Sequence, residues 1–529
     1  MKLKALSFAI AAATVLPQTT FAALPNGGVD PTTVASQYIL RYAGSSATDN
    51  LTFDAMLKDI CASNITVLNK PTNTTVTKSD GTTGILPKLG NYFGVACVAK
   101  TTAQNSKIDS TISGQTIMLL KRSEGGSAYG VQTLISNNPV AQIDPASCTT
   151  DGTYVSPIVG TVDAVKCNNS GTATTAVNVV PDAGVSDVDP AMFRGVNVPL
   201  GFTGVTSASA SATFGTVKSV VGQVFGVVVN TNLRNALQVA QGLKSGGASC
   251  KGLDTEVCMP SMSKQLLASL FTGKVTQWNQ IQVNGKPFTD TTNVIPGITL
   301  PTPTVSAGSS FYPVKICRRT PGSGTQAAIN NVIMDTPCNG GGLAPLAGNT
   351  SNVTQGSGSG DAINCLKAWN TGTQQVISTD KSPGSVTVPS KAGDTGWAIG
   401  LMGLEKADAN FKFIKVDGVA PTLKNAHDGK YPLWAEATVQ WRKDLAPASK
   451  VGFAQTFKNL VGSASTLANL NSLMPAPTYM ALSTVTGQVP DAVLKLTNPV
   501  IAYTRTTTNT DNCRVPSMNA AYNSKTPSF

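Results

Sequence analysis

Histidine is almost missing from this chain: His427 is the only one in 529 residues. It sits in "NAHDGKYPLW", a turn-like stretch, so a serine hydrolase would lack a well-placed base. One histidine and 28 acids also leave little from which to build the Asp/His cluster of a metal phosphatase. No Cys-x-x-Cys occurs, which removes the usual ligand supply of structural zinc, and neither a metal nor a cofactor is expected. Charge is sparse as well, at 13% of residues, and aromatics are 6%. Lysine and arginine are scattered without a basic run, so the net charge of +11 does not describe a nucleic-acid face. Long apolar runs are absent. The longest candidate, Ala5 to Leu16, falls short of the ~20 residues a membrane span needs, and no membrane insertion is expected. The phosphate loop of nucleotide enzymes is missing too, because no lysine follows Gly324. The dinucleotide fingerprint fails for want of a third glycine at Ala327.

What is present points to export. "MKLKALSFAIAAATVLPQTTFAALPNGG" has a basic start at Lys2 and Lys4, an apolar middle, and small residues around Ala22, the pattern of a secretory signal over residues 1–22. Without it the net charge is +9. The expected location is the periplasm or the exterior. Ten cysteines remain: Cys61, Cys97, Cys148, Cys167, Cys250, Cys258, Cys317, Cys338, Cys365 and Cys513. An even count in an exported chain predicts disulfides, five in all. Sequence leaves the pairing open, with Cys61–Cys97, Cys148–Cys167 and Cys250–Cys258 as plausible local closures.

With 41% hydrophobic residues the chain can fill two or three cores. Its patterning alternates. Phe53, Met56, Leu57 and Ile60 fall at helical spacing after "GSSATDN", with Thr48 or Asp49 as the cap. "TIMLLKR" before Ser123 and "FGVVVN" over 225–230 read as buried strands. "SMSKQLLASLFTGKV" reads as a helix with Met262, Leu266, Leu270 and Phe271 near one face and Gly273 as its stop. "GSGTQAAINNVI" reads as another, with Ile329, Val332 and Ile333 inward, and "TGWAIGLMGL" as strand and turn. Such alternation predicts an α/β architecture. Polar stretches at 64–80, 149–180, 339–360 and 370–394 read as insertions, and the chain after Val461 shows no strong periodicity.

Three Gly/Ser/Thr stretches open helices: Gly44–Thr48, Gly125–Ser127 and Gly322–Thr325. The first N–H groups of a helix lack intrahelical partners, and the macrodipole adds partial positive charge there. Glycine lets backbone approach an anion, and hydroxyls add donors, so such ends suit anions. One stretch follows Arg318-Arg319. Asp187, in "GVSDVDP", looks misplaced beside an oxyanion unless that oxyanion carries a proton to donate. Phosphate does at neutral pH, and sulfate does not.

On these residues the chain resembles the periplasmic phosphate-binding proteins of phosphate ABC transporters, a type II periplasmic-binding-protein family. Arg319-Thr320-Pro321-Gly322-Ser323-Gly324-Thr325 matches that family's Arg-x-Asp-Gly-Ser-Gly-Thr, with Pro321 in place of the aspartate that would pair with the arginine. Gly184-Val185-Ser186-Asp187 matches Gly-Ala-Ser-Asp. Ser127 to Val131 is similar to its Ser-Gly-Gly-Val helix opening, one residue longer, and Gly44 to Thr48 is similar to its N-terminal glycine-rich loop. "LFTGKVTQWNQI" and "GKYPLW" agree as well. In pieces the resemblance covers roughly 300 residues. It implies a two-lobed fold with a hinge and a ligand cleft, plus insertions and a C-terminal extension: lobe 1 from 23–222 and 405–529, lobe 2 from 223–404. It implies inorganic phosphate as ligand, held by Ser46, Thr48, Ser127, Asp187, Arg319, Ser323, Gly324 and Thr325, with Arg318 able to share the role of Arg319. A transporter permease is the implied partner, the chain acting as a monomeric binder and not an enzyme. Two alternatives stay open: a secreted alkaline phosphatase-like phosphomonoesterase, and a secreted phosphate binder that serves no transporter.

Overall fold

A computed structural model describes residues 23–78, 81–168, 177–214, 217, 219–291, 297–298, 300–301, 312–338, 344–348, 350–379, 384–483, 494–497, 499–504 and 515–518. The expected signal segment 1–22 and Cys513 lie outside them. The fold is α/β, organised by one large mixed sheet of 15 strands. In chain order these are β1 Ile39–Gly44, β2 Cys61–Leu68, β3 Tyr92–Ala99, β4 Thr116–Arg122, β5 Thr149–Ser156, β6 Gly160–Lys166, β7 Ala183–Ser186, β8 Ser219–Asn230, β9 Lys315–Arg319, β10 Val353–Gly356, β11 Ala398–Gly403, β12 Phe411–Phe413, β13 Trp434–Trp441, β14 Tyr479–Leu482 and β15 Val500–Ile501. The path across the sheet is β10-β9-β11-β8-β13-β7-β1-β4-β3-β2-β6-β5, with β12 and β14 also on β8, and β15 on β14.

Two parallel groups matter for the site. On one side β1 lies between β4 and β7, parallel to both. On the other β9 lies between β10 and β11, parallel to both. The long strand β8 joins the groups. Its sequence, "SVVGQVFGVVVN", is almost continuously apolar and β-branched, and every residue is buried. Its first half pairs with β13 and β14, its second half with β11 and β12.

The helices used below are α1 Asp49–Asp54, α2 Lys264–Phe271, α3 Gly324–Met334, α4 Ser359–Thr371, α5 Ala448–Val461 and α6 Ala464–Leu473. α1 runs on as a π-helical segment, Ala55–Ile60. Around β1–β4 one core gathers Leu40, Tyr42, Phe53, Leu119, Phe453, Phe457 and Leu467. Another gathers Phe225, Val227, Ile316, Ile329, Ile333, Ile399 and Leu401. A small third cluster lies under α4, with Val228, Cys317, Ala362, Cys365, Leu366 and Trp369. β8 feeds all three, through Val220 and Val221, Val224 to Val227, and Val228.

The three expected local disulfides are all formed: Cys61–Cys97, Cys148–Cys167 and Cys250–Cys258. A fourth, Cys317–Cys365, spans 48 residues. Cys338 is disulfide-bonded as well, and no free cysteine remains among the described residues. No helix among the described residues is long and apolar enough to cross a membrane.

Several expectations are corrected. Much of the polar sequence read as insertion belongs to the main sheet: Asn64–Leu68 lies in β2, β5 and β6 occupy much of 149–180, and β10 falls within 339–360. The chain after Val461 is not a featureless extension, since α6 packs into the core and β14 pairs with β8. Met262 belongs to a short strand pair, Ser261–Met262 with Lys415–Val416, and not to α2. After Ser127 there is a 3₁₀ turn, Ser127–Gly130, and one helical turn, Gln132–Ile135, where a longer helix was expected.

Candidate functional site

Five loops leave the carboxyl ends of the parallel strands: Ser45–Thr48 after β1, Ser123–Ser127 after β4, Asp187 after β7, Thr320–Ser323 after β9, and Ser357–Gly358 after β10. Open α/β sheets bind ligands beyond these ends, where strand order reverses. Hydrogen bonds show that the loops converge.

Arg319 is the last residue of β9 and is only 4% exposed. Its Nη1 donates to Ser359 Oγ at 2.9 Å and approaches Ser46 Oγ at 3.5 Å. Its Nη2 donates to the Ser357 carbonyl at 2.8 Å. Nε is buried without a partner. No carboxylate pairs directly with this guanidinium among the described residues. Burial disfavours its charged form, which the fields of Asp187, Asp361 and Asp49 partly restore. A hydroxyl and a carbonyl from the segment that opens α4 hold the arginine. Arg318 does not share the role. Neighbours on a strand face opposite sides, and with its amide oxygen turned toward the guanidinium Gln355 accepts from Arg318 Nη2 and Nε, at 2.7 and 3.2 Å.

Asp187 faces the same point. Ser45 Oγ donates a short bond to Oδ1, and Thr325 Oγ1 donates to Oδ2 at 3.4 Å. Its own N–H donates to Ser127 Oγ at 3.1 Å. Burial pushes its carboxyl up to about 6, aided by the charge of Glu405 and opposed by Ser45, Arg319 and Ser127. Gly324 lies against it: a Cβ there would sit 2.3 Å from Ser127 Oγ and 2.8 Å from Asp187 Oδ2. Only glycine lets α3 start so close. Ser323 caps that helix, its Oγ accepting from the Gln326 N–H at 3.3 Å. Gly322, at φ +94°, makes the turn before it, and its carbonyl accepts from the Ala128 N–H at 2.9 Å.

Behind the first loop lies Lys121, wholly buried in β4. Its ammonium donates to the carbonyls of Gly44 and Ser45 at 3.1 and 3.0 Å and to Ser123 Oγ at 3.0 Å, and pairs with Asp49 Oδ1 at 3.2 Å. A trans peptide points its N–H opposite to its C=O, so drawing the Ser45 carbonyl back turns the Ser46 N–H away from Lys121. Thr48 Oγ1 donates to the same Ser45 carbonyl at 3.1 Å. Tyr479, from β14, donates from its hydroxyl to the Ala47 carbonyl. The loop's carbonyls are thereby occupied from behind.

Of the eight sequence-predicted residues, Ser46, Thr48, Ser127, Asp187 and Ser323 lie on the converging loops, Arg319 ends β9, and Gly324 and Thr325 open α3. Direct contacts tie Ser46 to Arg319, and Ser127, Gly324 and Thr325 to Asp187. The Thr48 hydroxyl is spent on its own loop. Ser45, Lys121, Ser357 and Ser359 were missed. Ser45 falls within the Gly44–Thr48 opening, and "GSGSGD" at 356–361 is a fourth Gly/Ser opening that the same rule marks. Lys121, a charge inside an apolar strand, was the visible clue to the network behind the loop.

Fold and site together define an open-sheet α/β protein whose small-residue loops close on a buried guanidinium and a buried carboxyl. No protein-family profile matches the chain, and no curated protein sequence matches it. Among solved structures it is similar to a provisionally assigned phosphate ABC transporter substrate-binding protein of Clostridium perfringens with bound phosphate, at TM-score 0.37 and 12% identity over 82% of this chain and 98% of the other. An ABC-type phosphate transport receptor from Vibrio cholerae gives TM-score 0.33 and 10% identity over 79% and 93%. PstS from Borrelia burgdorferi gives 0.31 and 10% over 82% and 95%.

Proposed function

We propose that this chain is an exported solute-binding protein that captures inorganic phosphate between its converging loops and holds it without cleaving it. The observation that carries the reading is Arg319: a guanidinium buried to 4% exposure, with Nε unpartnered and no carboxylate paired to it among the described residues, set among serines and helix starts. A buried unpaired cation is costly, and an oxyanion ligand offsets that cost through charge-assisted bonds. In this reading Arg319 takes two ligand oxygens, and Ser323, Gly324 and Thr325 offer hydroxyl and N–H donors. Ser46, Thr48 and Ser127 close the opposite side, Thr48 through its backbone. Asp187 accepts the proton that phosphate carries and sulfate lacks.

Residues 23–222 belong to one lobe and 223–404 to the other; the expected return at 405 comes later, since Phe411–Phe413 pairs with the second half of β8 and Lys415–Val416 with Ser261–Met262, so the chain rejoins the first lobe after Val416. The two crossings between the lobes, β8 among them, serve as the hinge, and closure around the ion dehydrates it. Uptake through the permease of a phosphate ABC transporter is the role that fits such a protein in the periplasm. The test is calorimetry of phosphate-stripped protein with inorganic phosphate, sulfate and a phosphate monoester. Saturable binding of phosphate, weak binding of sulfate and an intact ester are expected. No heat with phosphate overturns the reading, and turnover of the ester replaces it with phosphomonoesterase activity.

A further inference from the structure

We infer that the Cys317–Cys365 disulfide is a positioning element of the site, so that the phosphate site proposed above, on which this inference rests, is completed only once the bond has formed. Cys317 lies in β9 two residues before Arg319, and Cys365 lies in α4 six residues after Ser359. Those spacings are about 7 Å along a strand and about 9 Å along a helix. The closest anchors of the Arg319 fork, Ser359 Oγ at 2.9 Å and the Ser357 carbonyl at 2.8 Å, belong to the segment that opens α4. One covalent rung and two hydrogen-bonded rungs therefore join the same pair of elements.

Besides these rungs, α4 is held by an apolar cluster, by its capping carboxylate, and at its far end by hydrogen bonds. There the Asn232 N–H and Nδ2 donate to Asn370 Oδ1 and O at 3.1 and 2.9 Å, Asn370 Nδ2 donates to Asn410 Oδ1 at 3.2 Å, and the Gly396 N–H donates to the Trp369 carbonyl at 2.9 Å. Ala362, Leu366, Ala368 and Trp369 meet the small apolar cluster. The capping carboxylate of Asp361 accepts from the Gly358 and Ser378 N–H groups at 2.7 and 3.1 Å. Apolar burial is non-directional, and the hydrogen bonds at Trp369 and Asn370 fix the end of α4 remote from Ser359 more than the end that meets the arginine. A fork of hydrogen bonds fails with a shift of an ångström. The disulfide fixes the two Cα atoms 5.7 Å apart at the middle of that interface. The arginine's support comes from a separate element, and that element is bolted on covalently.

Forming the bond removes two protons and two electrons from the two thiols. A disulfide-bearing oxidant takes them up by exchange and leaves as a dithiol. A chain folded without the bond would hold Arg319 loosely and bind phosphate poorly, so oxidation has to accompany folding, while the two thiols are still accessible, for capture to be complete. Both sulfurs belong to fully buried residues, so the formed bond is shielded from soluble thiols.

The experiment compares Cys317→Ser/Cys365→Ser with Cys250→Ser/Cys258→Ser, which opens a bridge closing a local loop of sequence separation 8. Each is titrated with inorganic phosphate by calorimetry after its folded state is checked by near-ultraviolet circular dichroism. A loss of affinity of tenfold or more in the first pair, with the second within twofold of the parent, is expected. A folded first pair within twofold of the parent overturns the inference, as does an equal loss in both pairs, which would report general loosening. If the first pair does not fold, the reduced parent is refolded with oxidised glutathione. Phosphate binding is then followed beside each bridge by mass spectrometry, and binding that precedes the Cys317–Cys365 bond overturns the inference while binding that follows it supports it. A parent that binds no phosphate removes the underlying reading and this one together.

Discussion

Replacing Asp187 by asparagine separates two consequences of one buried carboxyl. In the ligand-free protein its burial raises the carboxyl from 3.8 to about 6. One unit is worth 1.36 kcal/mol, so the shift corresponds to about 3 kcal/mol. The folded state holds this proton more tightly than the unfolded chain. Its contribution to stability is therefore full below about pH 4, lost as pH rises toward 6, and absent above. Asp187→Asn removes that slope. At pH 7 the variant no longer carries the buried charge, but its amide must re-pair with the Ser45 and Thr325 hydroxyls that now donate to the carboxylate. Charging about 1 kcal/mol to that mismatch, the ligand-free variant should be more stable than the parent by about 2 kcal/mol at pH 7 and no more stable at pH 4. Asp54, also raised to about 6 by burial, titrates equally in both proteins and cancels in the difference. The ligand tells the second half. A carboxylate facing fully ionised sulfate costs several kcal/mol, whereas protonated phosphate donates to it. The amide can turn its NH₂ toward sulfate, so the phosphate-to-sulfate preference should fall by tenfold for each ~1.4 kcal/mol removed. Urea unfolding from pH 4.5 to 7.5, and displacement of labelled phosphate by sulfate at one pH and ionic strength, measure the two. Parallel pH–stability curves would show that Asp187 does not titrate near 6. Equal selectivity would show that it does not face the ligand and acts only as a receptor for the Ser45 and Thr325 hydroxyls.

Arg319→Ala should weaken phosphate binding by about 2–5 kcal/mol, the cost of removing one partner from a buried charge pair, and calorimetry showing parental affinity would place the ligand elsewhere. Gly324→Ala brings a methyl within 2.3 Å of Ser127 Oγ, and overpacking of this kind costs about 1–3 kcal/mol. Urea denaturation and phosphate titration should both register it, and an unaffected variant would refute the close approach. Lys121→Met leaves Asp49 buried without its ammonium and should destabilise the fold by about 3–5 kcal/mol. Adding Asp49→Asn should recover part of that loss in urea, and if it recovers none the pair is not the reason for the loss.

Much of the site was legible because its parts are local. A glycine-serine opening before a helix, such as Ser323–Gly324, carries its meaning within a few residues, and α3 and its cap follow from them. The pairings Cys61–Cys97, Cys148–Cys167 and Cys250–Cys258 close short stretches and were within reach for the same reason. What escaped was tertiary or too short to have a period. β10 and β14 have four residues each, less than the window in which alternation can be told from chance. β10 therefore reads as insertion, and β14 is hidden in a chain without evident pattern, although Tyr479 reaches the first loop. Cys317–Cys365 joins residues 48 apart, and nothing local marks the two as partners. Arg318 and Arg319 are alike in sequence and differ only in the face of β9 each occupies.

β8 has a mechanical consequence. Its twelve residues are buried throughout and contribute to all three apolar clusters. Losing the ladder on either half strips one continuous strand of half its hydrogen bonds and opens the neighbouring cluster to water. The melting of one half is thus transmitted along a single backbone to the other. Two separate cores joined by a loose tether would melt in two steps. Cores threaded on a common strand lose their partners together, and the calorimetric trace of this protein should be one endotherm, sharper than the size of either core alone would give.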